Sequence, residues 1–365
     1  MKDKNILFFA QQIYYPWIEW VKNNSINICK WLNKKIKVNI ISHKWKNNKK
    51  DFDTIFWVDV FYLLHLNDNK IIQFFYFFYD AFKSLYFIFK TKPKKIFVQY
   101  LDTSYILSLI LIKIFNRKID IYLTIYSTDE LSIWYKIKFL KYYKFNKIII
   151  ISEYLRDKIL KLWYKNKNII YIPLSYDKTR YLNFANFEKR DKKTILFTAW
   201  SIKEAWSFLM VDLAKNMSDF NFIFAMRKFN KKSEDEVLKL REYIKIKWVK
   251  NIEIKRNIER MEDLLWNVGA LVLPLQDINI KMLVPVALLE AMARWTICFV
   301  SDLENLKILV TNNINAVIFN KNNIIDLKEK IIKNIDNNDL ALNAYKFAWK
   351  YPSFDEIIRK YYNLI

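Results

Sequence analysis

The chain has 365 residues, 53% hydrophobic and 18% aromatic, with 61 Lys and Arg against 37 Asp and Glu and a net charge of +24. So much apolar content excludes a disordered polymer, and the length suits two domains or one large one. Two cysteines, Cys29 and Cys298, exclude a disulfide framework and read as buried thiols of a reducing compartment, and the two histidines, His43 and His65, stand in no metal-ligand spacing.

Taken in order, the first apolar run, 6–10, is too short for a secretory signal and reads as a strand. Further β-branched and aromatic runs at 37–42, 95–100, 119–126, 147–152 and 169–173 predict strands, with helical patterns at 21–32, 74–89 and 153–162 between them. Residues 71–90 (IIQFFYFFYDAFKSLYFIFK) are crowded with aromatics and precede Lys92, Lys94 and Lys95; residues 105–118 are rich in Ile and Leu and close on Lys113, Arg117 and Lys118. Such segments suit a helix in a membrane interface or a helix buried on a sheet. The buried reading leads for 105–118, and the two stand level for 71–90. No run reaches the ~20 apolar residues of a membrane span.

Residues 175–193 are polar, lack periodicity and read as a linker. Strands resume at 194–198, 221–226, 252–257, 270–275 and 296–301, with helices at 207–216, 233–245, 258–267, 285–294 and 303–310. The Asn-rich patches 320–323 and 334–338 read as turns, and the tail 340–365 as one or two helices interrupted near Pro352. This alternation predicts an α/β fold of parallel sheets covered by helices. The domains expected are 1–180 and 181–345, both doubly wound, with 346–365 a C-terminal helix crossing back to the first. Ligands in this architecture bind at the carboxyl ends of the strands.

Only one glycine, Gly269, occurs in the chain, where ordinary usage gives roughly 25. Tryptophan occurs 13 times, often where the backbone asks for glycine. Trp295 falls between the helical run 285–294 and the strand 296–301, where a left-handed residue is needed. Trp17 and Trp20 follow the first strand, and Trp200 follows the strand starting at 194. A source that reads one stop-like codon as glycine, written out as Trp, explains this pattern; the alternative is an authentic Trp-rich protein.

The strongest local signal is LVLPLQDINIKMLVPVALLEAMARWTICFVSD, residues 271–302. A strand ends, a loop follows, and Pro285 opens a helix where its missing N–H costs nothing. The exposed N–H groups and dipole there suit a phosphate. Glu290, five residues on, is placed to reach ligand hydroxyls or to stand as a solvated helix acid. The stretch PVALLEAMARWTICFV, 285–300, resembles the signature P-x-(A/L/I/V)-x-x-E-A-M-A-x-G-x-P-V-V of the retaining GT-B glycosyltransferases of group 1 (family 4), with Trp295 at the family's glycine. Weaker resemblances follow in order along the chain. Residues 15–21 resemble the P-x-x-G-G-x loop; 162–177 resemble L-G-x-x…I-P-N-G-V-D, with Trp163 at a glycine; 194–208 resemble the phosphate-contacting segment, with Trp200 and Trp206 near its glycines; and 251–274 resemble N-V-x-F…L-L-x-x-x-D-x-x-V-x-P.

The resemblance implies a GT-B fold, two Rossmann-like domains facing each other across a cleft. It implies a nucleotide-sugar donor held mainly by the second domain, a glycan or lipid-linked acceptor held mainly by the first, and transfer with retention. Glu290 matches the second acid of the family's Glu-x7-Glu pair, which holds the donor ribose; the first falls at Met282, so the chain departs there and the donor sugar stays open. Lys203 is the nearest match to the basic pair on the diphosphate, with Arg227 as a substitute where Ala205 takes a usual lysine position. Tyr126 ends a strand where many relatives carry a His near the donor sugar. Glu290, Lys203 and Tyr126 are thus the catalytic candidates. Trp200, Ser201, Arg227, Arg256, Met282, Val284, Pro285, Val286 and Glu290 are the donor-side set, and Trp17, Trp20, Asp129 and Glu130 the acceptor-side set, with Ser127 or Thr128 as a helix cap.

No cofactor is implied, and no metal, since no Asp-x-Asp pair sits at a strand end. Cell-surface polysaccharide or glycolipid synthesis in the cytoplasm is expected, against the inner membrane face through contacts in 71–118 and without specific nucleic acid. Two rivals stand beside this: an inactive relative that binds nucleotide-sugar or glycan, and a basic protein that binds nucleic acid or membrane through a continuous positive face.

Overall fold

The structure is a computed structural model that describes residues 5–10, 13, 20–44, 50–64, 70–131, 133–181, 190–199, 207–226, 231–256, 258, 260–277 and 283–365. The chain divides into two compact units, Met1–Pro173 with Asp355–Ile365, and Leu174–Phe354.

The first unit holds one sheet of eight strands: β1 (Asn5–Phe9), β2 (Lys37–His43), β3 (Phe52–Ile55), β4 (Val58–Leu63), β5 (Lys95–Val98), β6 (Asp120–Ile125), β7 (Lys147–Ile150) and β8 (Ile169–Tyr171). Their order is β3-β4-β2-β1-β5-β6-β7-β8, and every pairing is parallel except β3 with β4. The crossovers carry α1 (Trp20–Leu32), α2 (Lys70–Thr91), α3 (Thr103–Phe115), α4 (Trp134–Tyr143) and α5 (Arg156–Leu160). Central strands are buried on both sides, so they read as unbroken apolar runs. Phe8 stacks on Phe97 with ring centres 5.0 Å apart, and Phe97 meets Tyr122 edge-on. Asp102 caps α3 by accepting from the Ser104 N–H.

The β3–β4 hairpin is absent from the sequence reading. Its connection is two residues, Phe56 and Trp57, with φ of 48° and 68° and Ile55 opposite Val58. Two central residues at positive φ define the type I′ turn, which normally takes Asn-Gly or Asp-Gly; Phe-Trp carries no such signal.

The second unit contains α6 (Lys178–Tyr181), β9 (Asp191–Ala199), α7 (Ser207–Lys215), β10 (Asn221–Met226), α8 (Lys231–Ile246), β11 (Ile252–Arg256), α9 (Met261–Trp266), β12 (Val268–Leu273), α10 (Val286–Ala293), β13 (Ile297–Ser301), β14 (Val317–Phe319), α11 (Ile324–Asn334) and α12 (Asn338–Lys350). The six strands form an all-parallel sheet of order β11-β10-β9-β12-β13-β14. Ile195, Phe197, Phe224, Val272 and Phe299 centre its core, with Met210, Leu240, Leu327 and Ile331 from the helices. Gly269 sits where β12 shifts register against β9. A Cβ there would meet the Lys192 Cα at 2.7 Å, so close backbone approach requires glycine. The last helix, α13 (Phe354–Tyr362), lies almost wholly in the first unit, where Tyr361 packs against Phe97.

Two expectations change. The expected linker 175–193 contains α6, and β9 begins at Asp191; residues 182–189 lie outside the described ones. Residues 304–309 are turns, not a helix, and the buried Asn305 among them donates its amide to the Leu283 carbonyl at 3.1 Å. The Asn-rich patches hold turns, at 321–322 and 335–336, as expected, and they also cap helices: Asn323 accepts from the Asp326 N–H and Asn337 from the Leu340 N–H.

Tryptophans punctuate both units. Trp57, Trp163, Trp248 and Trp295 have φ between 58° and 68°. After α10, Trp295 N–H donates to the Met292 carbonyl and Thr296 N–H to Ala291; after α8, Trp248 N–H donates to Lys245 and Val249 N–H to Ile244. Both pairs are Schellman caps with Trp at the left-handed position. The other described tryptophans, Trp20, Trp31, Trp134, Trp266 and Trp349, all lie within the first or last two residues of a helix.

Candidate functional site

In the second unit the chain order reverses between β9 and β12, and the carboxyl ends of strands at such a switch point are the expected ligand edge. The segment leading into α10 is fixed there. Val284 and Val286 are buried, Pro285 is the extended N-cap with φ −71°, and the Leu288 N–H already donates to the Pro285 carbonyl at 3.0 Å. A helix start leaves its first N–H groups without intrahelical partners. Glu290 sits just over one turn into α10, half-buried, and its carboxylate bonds the hydroxyl of buried Tyr181 from α6. Burial is the main cause that holds the Tyr181 proton well above the ordinary phenol range, with the Glu290 charge adding to it. Arg256 ends β11 and is paired with Glu234 of α8 at 2.5 Å.

Beside α6 and α9 lies a cavity of about 570 Å³, lined among others by Arg180, Arg260, Glu262, Asp263, Trp266 and Arg294. Arg180 grips Glu262 through three hydrogen bonds of 2.7–3.2 Å, Arg260 pairs with Asp263 at 2.8 Å, and Arg294 donates to the Arg180 carbonyl while lying 4.9 Å from the Trp266 ring. Burial pushes the Glu262 carboxyl up, but the hydrogen bond from Arg180 and its charge outweigh this and lower it. Arg294 follows the last turn of α10, so this ion cluster stands at the opposite end of that helix from Pro285.

In the first unit, the carboxyl edge of β5 and β6 is tied together from inside. Glu130 is fully buried, and its carboxylate accepts from the N–H groups of Tyr126 (2.7 Å), Ser127 (3.3 Å) and Leu101 (3.0 Å). Desolvation pushes this carboxyl up to about 7, against the pull of those N–H groups and Lys136. The buried Tyr126 hydroxyl donates to Gln99 Oε1 at 2.6 Å and accepts from Asn24 Nδ2 at 3.2 Å. At the end of β2, His43 contacts Ser104 Oγ through Nε2 at 2.7 Å and the Leu64 carbonyl through Nδ1 at 2.8 Å. The Asp80 carboxylate lies 3.7 Å from Nδ1, accepts from the Leu64 N–H, and is pushed up to about 6, mainly by burial.

The structure therefore brings Val284, Pro285, Val286 and Glu290 together, and it spends Tyr126 and Glu130 on internal support. Trp17, Trp200, Ser201, Lys203, Arg227 and Met282 lie outside the described residues, as do the side chains of Trp20 and Asp129. Tyr181, Gln99, Asn24 and the His43–Asp80 pair were not foreseen; their partners are tens of residues away and no local spacing marks them. Among the described residues no group of three or more His, Cys, Asp and Glu could hold a metal ion.

Residues 210–350 match the family model described as glycosyl transferases group 1. Solved structures align along nearly the whole chain. A glycosyltransferase from Rickettsia africae is 14% identical with a TM-score of 0.74, covering 99% of this chain and 97% of its own. Sucrose-phosphate synthase from Thermosynechococcus elongatus is 11% identical with a TM-score of 0.78, covering 99% and 98%. HepE of Anabaena, in complex with UDP and glucose, is 11% identical with a TM-score of 0.74, covering 99% of each chain. No curated protein matches the chain in sequence. The architecture is thus that of the GT-B glycosyltransferases: two α/β domains with parallel sheets. The stretch 210–350 that matches the group 1 glycosyl transferase model lies wholly within its second unit.

Proposed function

We propose that the protein is a retaining glycosyltransferase that moves a sugar from a nucleotide-sugar donor to a glycan or lipid-linked acceptor. The observation that carries this reading is the group 1 match over 210–350, which encloses the Pro285–Glu290 segment. HepE was crystallised with UDP and glucose, so uridine diphosphate sugars are the first donors to try.

On this reading the N-terminus of α10 receives the diphosphate. Lys203 and Arg227 neutralise the charge that develops on the leaving group. Glu290 holds the ribose once it exchanges Tyr181 for ligand hydroxyls, and Met282, in place of an acid, alters sugar recognition. Ser201, Arg256 and the residue at Trp200 complete the donor side; Trp17, Trp20 and Asp129 belong to the acceptor side, with Tyr126 and Glu130 shaping its floor. The reading uses no metal and no cofactor. Its setting is surface polysaccharide or glycolipid synthesis in the cytoplasm.

The test is nucleoside diphosphate release from a panel of nucleotide-sugars, with and without glycan and lipid-linked acceptors. Turnover of at least one donor is expected. Glu290→Ala should slow it by roughly 10- to 100-fold, the worth of a charged hydrogen bond, and Tyr181→Phe should leave it within a few-fold. Background rates with every donor for both wild type and Glu290→Ala would reject the reading.

A further inference from the structure

α2 is inverted. Phe75, Phe78, Phe82, Tyr86 and Phe89 recur at spacings of three and four, so they form one stripe along the helix. All five face solvent, 44–65% exposed, with Phe74 and Tyr79 on the flank. The inward face instead carries Asp80 and Ser84 among Ala81, Leu85 and Ile88, all buried. Asp80 is drawn in by the Leu64 N–H, and Ser84 donates back to the Asp80 carbonyl. α3, packed along α2, adds exposed Ile110, Ile114 and Phe115. Folded monomers rarely expose a contiguous apolar patch larger than a few hundred Å² unless something binds it.

A basic rim closes one end of this surface. α2 and α3 both end where β5 and β6 begin, and Lys95 is paired in register with Asp120. Exposed Lys90, Lys92 and Lys94 therefore gather with exposed Arg117 and Lys118 at one sheet edge. A second copy meeting this face across a two-fold axis would set its apolar stripe against the same stripe but bring its own positive rim along. A surface of anionic headgroups meets both features at once. No helix among the described residues is long and apolar enough to cross a membrane.

We propose that the outer face of α2, with the end of α3, lies flat on an anionic lipid bilayer. The aromatic stripe enters the headgroup boundary and the basic rim faces the lipid phosphates. This holds whether or not the protein is a transferase, because vesicle binding needs no donor.

The experiment is co-sedimentation of the full chain with vesicles of phosphatidylcholine alone or mixed with phosphatidylglycerol. Binding to the mixed vesicles, weakened by salt, is expected. The triple variant Phe75→Ser, Phe78→Ser, Phe82→Ser should lower partitioning at least about 10-fold with an unchanged circular dichroism spectrum. The pair Lys90→Glu, Lys92→Glu should remove the preference for anionic lipid. Equal binding of wild type and triple variant would overturn the proposal, as would no binding to either vesicle. So would a concentration-dependent dimer that the triple variant abolishes while vesicles recover no protein.

The tryptophans carry an independent inference. Among the described residues, Trp supplies four of the nine non-glycine residues at positive φ. That region costs an L-residue roughly 1–2 kcal/mol and is a true outlier for bulky side chains. The four occupy a type I′ turn and three helix ends, the positions at which glycine prevails. Trp57, Trp163 and Trp248 are 72–85% exposed, although Trp is usually well buried. None of the described tryptophans lies in a strand, where Trp is favoured. We infer that glycine is the native residue at these positions. Tandem mass spectrometry of the protein isolated from its own source, on peptides spanning 57, 163, 248 and 295, should read glycine at each. Tryptophan at any of the four would overturn the inference there.

Discussion

The two units use their side chains in opposite ways. The second has an apolar interior and places its ion cluster, Arg180, Glu262, Arg260 and Arg294, around an open cavity. The first buries Asp80, Glu130 and His43 and turns the aromatics of α2 outward. The difference teaches that the first unit depends on buried acids that its polar network leaves prone to protonation, whereas the second holds its buried Glu262 ionised against the Arg180 guanidinium and is less tied to protonation.

The sharpest contrast is a pair of alanine variants. Glu130→Ala leaves three buried N–H groups without acceptors and should cost on the order of 2–4 kcal/mol. Arg260→Ala removes an exposed cation and should stay within about 0.5 kcal/mol. Hydrogen exchange read by mass spectrometry assigns each loss to its unit. Comparable losses for the two would break the contrast.

The next effect is in pH. Asp80 has an ordinary value of 3.8 and about 6 when folded. Between these values the native state holds a proton that the unfolded chain has released, so this group's contribution to stability falls as pH rises through the window and stays low above it. Glu130 acts with the same sign between 4.5 and about 7. Asp80→Asn keeps an acceptor for the Leu64 N–H and loses the buried charge. It should therefore stabilise the first unit by about 1–2 kcal/mol at pH 8 and have little effect at pH 4, read from urea titrations at both pH values. A loss at pH 8 would mean that the carboxylate is needed as an anion beside His43.

A smaller effect crosses both units. In protein made with tryptophan, Trp57→Gly and Trp248→Gly should each gain about 1 kcal/mol and raise Tm by a few degrees. Opposite signs at the two sites would show that the left-handed backbone is strained in one unit only.

Much of the fold was legible in the sequence. The buried strands β1, β2, β5 to β7, β9, β10, β12 and β13 announce themselves as apolar runs, and Pro285–Glu290 marks the start of α10 from sequence alone. The hairpin β3–β4 was illegible because Phe56-Trp57 hides its turn. The periodicity of α2 shows a stripe but does not say which side faces the sheet; a single hydrogen bond from the Leu64 N–H to Asp80 turns the polar side inward. Glu130 looked like a ligand acid because its partner Leu101 lies 29 residues away. Tyr181 carries no motif that names it as the partner of Glu290.

The most direct test of the central claim is hydrogen exchange on the whole protein with and without UDP or a UDP-sugar. Donor recognition by the second unit predicts slowed exchange at the start of α10, from Leu283 through Glu290, and no change along α2. Slowing confined to the Arg180–Glu262–Arg294 cavity, or none at saturating nucleotide, would contradict it.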